Sequence, residues 1–164
     1  MRDVISFFIY SDKEKINQAF LKKGENLEEV YTEECIICDK PIPYMITVGK
    51  KIYPVCLGAC ERRLVDMLVH QVLFGSMEVH DDWNPTWNYI DVLPVIEKIN
   101  HLGYYVGLLQ EPGGKWRCIA STTVWSNDVY CQTIVDTDPL LALCKMLIFL
   151  DANRTVLKRT KKKK

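Results

Sequence analysis

CIICDKPIPYMITVGKKIYPVCLGAC, residues 35–60, opens with two cysteines three positions apart and closes with two that are four apart. In Cys35-x-x-Cys38 the two intervening residues form a tight knuckle that turns both sulfurs to one side, and Pro41 and Pro43 end it. The stretch that follows reads as a hairpin. Tyr44, Ile46 and Val48 alternate with Met45 and Thr47, Gly49-Lys50 suits a two-residue turn with glycine first, and Ile52, Tyr53 and Val55 return. A hairpin brings its ends together, so Cys56 and Cys60 are delivered beside Cys35 and Cys38, and a tetrahedral four-sulfur site is the expected outcome.

After Cys60 the pattern becomes helical, with Leu64, Met67, Leu68, Val72 and Leu73 recurring in ERRLVDMLVHQVLFG (61–75). The last cysteine therefore sits at a helix start, where unpaired N–H groups favour a thiolate. Lys40, Lys50, Lys51, Arg62 and Arg63 are near enough in sequence to offset four thiolates around a divalent ion. Structural Zn2+ is the expectation, because all-sulfur ligation leaves no position open for water. Knuckle, hairpin and helix in this order resemble a treble-clef zinc finger. The metal would supply on the order of 10 kcal/mol of local folding energy. Cys118, Cys131 and Cys144 lie in apolar settings without paired spacing and read as core residues.

The 164 residues are 48% apolar, enough to bury a core, and no stretch approaches the roughly 20 apolar residues of a bilayer span. MRDVISFFIYSDKEK has too short an apolar run and too early an acid for a secretory signal. A cytosolic protein is expected. Seven cysteines, an odd number, argue against a fully paired disulfide framework and fit a reducing compartment. Formal charge is zero but uneven. Lys158, Arg159, Lys161, Lys162, Lys163 and Lys164 leave 15 basic against 21 acidic residues, a formal −6, over residues 1–157. A disordered basic tail on an acidic body is expected, and those six side chains are the candidates for phosphate contact.

The remaining elements follow from periodicity. VISFFIY reads as a strand and the stretch from Ser11 to Gly24 as a helix capped by Ser11. GSMEVHDDWNPTWN is a loop. DVLPVIEKINHLG is a helix capped by Asp91, with Pro94 in its first turn and Ile96 and Ile99 inward. YYVGLLQ, KWRCIASTTVW and VYCQTIV form an antiparallel meander. A buried helix starts at Pro139 after Thr137 or Asp138.

VDTDPLLALCKMLIFLDA, in that final helix, resembles the DT-x-P-L-A-x-C-x-x-x-L ending of the phage ABA sandwich domain family. PVIEKINHLGY and LVDMLVHQVLFG are similar to that family's second and opening helices, and Trp116 to its central strand tryptophan. Phe74-Gly75 and Leu93-Pro94 depart from its pattern. The resemblance covers roughly Leu64 to Ala152. It implies an α+β fold, a helix, a three-stranded antiparallel sheet and a helix in a sandwich, together with a phage or prophage context. The expected organisation is an N-terminal strand-helix segment (1–34), a zinc module (35–63), the sandwich-like domain (64–152) and the basic tail (153–164).

No Walker loop, dinucleotide fingerprint, nucleophile elbow or zincin helix is present in the sequence. His80, Asp81 and Asp82 read as a solvated loop, and Asp136 and Asp138 as capping residues. A non-enzymatic role is therefore expected. Trp83, Trp87 and Tyr89, with Trp125, are candidates for contact with a ligand or partner. The leading expectation is a phage accessory protein that binds a host protein or assembles with itself. The alternatives are a nucleic-acid-binding zinc finger and a sponge for a small signalling nucleotide.

Overall fold

The computed structural model describes residues 8–12, 34–41, 44–122 and 131–161. They form an α+β chain with two three-stranded antiparallel sheets and three helices. Two compact units divide at Leu64 and Val65.

In the unit Ser6–Leu64, β1 (Phe8–Asp12), β2 (Tyr44–Val48) and β3 (Lys51–Pro54) pair in that order. The expected hairpin is β2-β3, closed at Gly49-Lys50 with Val48 opposite Lys51. Gly49 has φ +64° and Lys50 does not share the left-handed region, as a Gly-first turn requires. Met45, Ile46, Val48 and Val55 are buried. The first strand differs from expectation: Ser11 and Asp12 belong to β1, paired with Met45 and Tyr44, and Ser11 caps no helix there. Pairing with an available edge of the hairpin outweighs the local capping signal. The remainder of that expected helix, from residue 13, lies outside the described residues.

Helix α1 (Ala59–Phe74) buries Leu64, Val65, Leu68 and Val69. In the unit that begins at Val65, α2 (Tyr89–His101) precedes the sheet β4 (Tyr105–Gln110), β5 (Trp116–Ser121) and β6 (Cys131–Asp136), and α3 (Pro139–Lys161) follows it. The meander is as expected, in register Leu108–Cys118–Ile134 across the three strands. α2 packs over β4, α3 packs over β5 and β6, and the two helices pack on each other, so both lie on one face. Cys118, Ala120 and Ile134 alternate inward there. Leu140 to Leu150 of α3 are all buried, which is why its apolar residues surround the helix instead of forming a stripe.

Several local devices differ from the sequence reading. Asn88, and not Asp91, caps α2: its side chain accepts the Ile90 N–H at 2.9 Å, while Asp91 sits in the first turn. Pro94 thereby falls one turn deeper, where a backbone N–H to the Ile90 carbonyl is lost. Val92, Val95 and Ile99 face the core. Asn88→Ala is expected to cost about 1 kcal/mol in urea unfolding, with the helix retained.

Asp138 caps α3 by accepting the N–H groups of Leu140 (2.9 Å) and Leu141 (3.1 Å). Asp136 does something else: its Oδ2 meets the Lys145 ammonium at 2.6 Å. The helix also continues through Lys161, past residue 153 where a tail was expected. Lysine and arginine are good helix formers and suit the negative C-terminal end of the helix dipole. Asn153 donates to the Phe149 carbonyl within this extension.

Candidate metal centre

Cys35, Cys38, Cys56 and Cys60 converge, with one Sγ from each lying within 4.8 Å of all the others. The Cys38 and Cys56 sulfurs are 3.8 Å apart. A tetrahedron with metal–sulfur bonds of about 2.3 Å has edges of about 3.8 Å, so the donor set fits a metal ion.

Each local turn that produces this convergence has a physical cause. The knuckle is closed by Cys35 N–H to the Lys40 carbonyl (2.8 Å) and Asp39 N–H to the Cys35 carbonyl (2.9 Å). Asp39 takes φ +58°, a left-handed conformation that aspartate tolerates better than most residues. Glu34 bridges Pro41, and Ile36 N–H reaches the Pro54 carbonyl at 3.0 Å, which ties the knuckle to the end of β3. A second turn, Leu57-Gly58, carries the chain from Cys56 into α1. Gly58 has φ +86° and accepts the Arg62 N–H at 3.0 Å. Cys60 is the second residue of α1, as the sequence reading expected. Tyr10 of β1 donates to the Glu61 carboxylate at 2.5 Å, so the first strand is also fastened to this helix start.

The electrostatics favour a cation. Burial would raise the Cys35 thiol, but N–H groups from Cys56, Ile37 and Cys38 directed at its sulfur outweigh this and hold it at about 6. The Cys56 N–H donates to that sulfur at 3.4 Å. Cys56 and Cys60 go the other way, to about 11 and about 12, through desolvation and then through the neighbouring sulfurs of Cys38 and Cys35. One thiolate is stabilised by backbone dipoles, and each further one is opposed by it. A divalent cation at the centre removes that opposition.

Cys118 and Cys144 have no part in the cluster. Cys118 and Cys144 are fully buried, as expected of core residues, and the side chain of Cys131 lies outside the described residues. Burial pushes the Cys118 thiol up to about 12. Because the folded value lies above the unfolded one, the stability from keeping this thiol protonated is complete below its ordinary value of 9.0 and is lost as pH rises toward about 12. At pH about 8, iodoacetamide is expected to leave Cys118 unmodified in the native protein and to label it in urea, a contrast mass spectrometry of peptides resolves.

Trp83 lines a cleft of about 360 Å³ with His70, Phe74, His80, Asp82 and Asp91. Trp87 and Tyr89 are exposed, and Trp125 lies outside the described residues. The His70 ring stands 4.7 Å from Phe74 and 5.2 Å, edge-on, from Trp83. Its Nδ1 lies 2.6 Å from the Ser76 carbonyl, which can only accept, so Nδ1 donates the proton in this bond. Asp91 accepts the Asn84 N–H at 2.9 Å, and buried Asp66 accepts the Thr86 N–H at 3.0 Å, fixing the loop that carries Trp83. The sequence reading passed over His70 and Asp91, since a histidine on a helix and an aspartate near a cap have structural explanations. Of the candidate phosphate contacts, Lys158, Arg159 and Lys161 lie on the backbone of α3, and Lys162, Lys163 and Lys164 lie outside the described residues.

Among the described residues no helix is long and apolar enough to cross a membrane. No family model, curated protein or solved structure matches the chain.

Proposed function

We propose that Cys35, Cys38, Cys56 and Cys60 hold one structural Zn2+, and that the chain is a non-enzymatic accessory protein of a phage or prophage, acting by binding a host protein or further copies of itself. The observation that carries the zinc reading is the convergence of four sulfurs within 4.8 Å of one another. Four thiolates fill a tetrahedral shell, leave no place for a reacting water and suit zinc. Lys40, Lys50, Lys51, Arg62 and Arg63 offset the resulting negative charge.

The phage context rests on the resemblance along residues 64–152, and the element order of α1, α2, three antiparallel strands and α3 agrees with it. The sandwich layering belongs to this proposal too. The observed packing supplies one helical side, α2 with α3, and a second helical layer is needed on the face that carries Tyr105 and Leu109.

Binding assays over a range of salt separate the leading role from the nucleic-acid alternative. Capture of one identified host protein, or of the chain itself, with no affinity for DNA or RNA, supports the proposal. Nucleic-acid binding that falls steeply with salt and disappears on deletion of residues 158–164 contradicts it.

A further inference from the structure

From Gln71 to Glu97 the chain carries Glu78, Asp81, Asp82, Asp91 and Glu97 and no lysine or arginine. The same segment concentrates exposed apolar surface: Phe74, Trp87, Tyr89, Ile90 and Leu93 are each more than half exposed. On α2, Ile90 and Leu93 are three apart and Tyr89 and Leu93 four apart, so they share one helix face, which Glu97 continues. The neighbouring cleft places Trp83 and Phe74 beside Asp82 and Asp91.

Aromatic faces edged by carboxylates suit an ammonium group on a long aliphatic stem. The stem covers apolar surface, the cation meets ring face and carboxylate, and an anionic phosphate is repelled. The complementary segment is in the chain itself. Residues 158–164 contain six basic side chains, one threonine and no acid.

We propose that the acidic, aromatic surface of residues 74–97 is a docking site for the lysine-rich segment 158–164 of a second copy, with charge complementarity choosing the occupant. The inference rests on the self-association arm of the proposed function and is independent of zinc. α3 is helical through Lys161, which holds residues 158–161 on the helix and limits how far they can turn back onto their own chain. Segment and surface are different patches, so two copies either exchange tails about a two-fold axis or continue head to tail.

Sedimentation velocity on the full chain at about 50 mM and about 500 mM salt tests this, since exposed ion pairs are screened over that range. The expected result is association at low salt that weakens at least about tenfold at high salt. Deleting residues 158–164 is expected to give a monomer, and so is Glu78→Lys with Asp82→Lys, two exposed positions whose replacement leaves the core intact. A synthetic peptide of residues 158–164, added to the shortened chain, is expected to change tryptophan fluorescence saturably and to be displaced by salt. A monomer under all conditions overturns the inference, as does a monomer in which the tail alters fluorescence from its own chain. Association that persists undiminished without the tail also overturns it, but leaves the self-association reading standing.

Discussion

Cys35→Ser is expected to abolish tight metal binding and to unfold the sheet β1-β2-β3, with loss of amide protection along β2 and β3, while the amides of β5 and α3 keep theirs. Cys35 is the cysteine of the cluster most dependent on its surroundings: it is buried, accepts the Cys56 N–H and has its thiol held at about 6. A serine hydroxyl neither ionises nor bonds a soft cation as thiolate does. Its replacement therefore forfeits several of the roughly 10–16 kcal/mol that a structural zinc site contributes to folding. Among its described residues, little else is available to hold this unit. Its strands are four or five residues long, and the described buried apolar side chains are few: Cys35, Met45, Ile46, Val48, Val55 and Leu64. A chelator is expected to reproduce the effect in the unsubstituted protein. Cys118→Ser, outside the cluster, is expected to leave metal content unchanged.

Asp136→Ala is expected to destabilise the unit that begins at Val65 by about 3–5 kcal/mol in urea unfolding. Lys145 lies amid the buried run Leu140–Leu150, its side chain only 5% exposed, and its ammonium meets Asp136 Oδ2 at 2.6 Å. Removing the carboxylate takes from a desolvated cation the charge partner that meets it at 2.6 Å, a larger penalty than the 0–1 kcal/mol of an exposed pair. The second arm separates loss of charge compensation from loss of the local bond that Asp136 accepts from the Thr137 N–H. Asp136→Ala combined with Lys145→Met is expected to recover most of the stability, because methionine fills the same volume without a charge. If the double variant were as unstable as the single one, the ion pair would not be the cause, and the Asp136 bond to the Thr137 N–H would carry the loss.

These two regions differ in how much of them the sequence exposes. The convergence of the four cysteines was legible because its signal is local and redundant: close cysteine spacing, a Gly-first turn and the onset of helical periodicity all point to it. The meander and the buried final helix were legible for the same reason. What escaped depends on partners far apart in sequence or on competition between similar residues. Asn88 and Asp91 are both good caps, and the choice is made by Asn84, whose N–H engages Asp91. β1 is defined by pairing with residues 44–48, across a long separation, so Ser11 and Asp12 read locally as a helix start. Nothing local marks Lys145, within an apolar helix, as the partner of Asp136, nine residues earlier on β6. The cleft needs Asp91 on α2 and His70 on α1 to meet over a loop pinned by Asp66, which periodicity does not encode.

X-ray absorption at the zinc edge, with metal content on the same sample of protein purified without added metal, addresses the four-cysteine centre most directly. One zinc per chain in a shell of four sulfurs at about 2.3 Å is the predicted result. A metal-free chain that unfolds cooperatively, with Cys35, Cys38, Cys56 and Cys60 all open to alkylation in the native state, would contradict it.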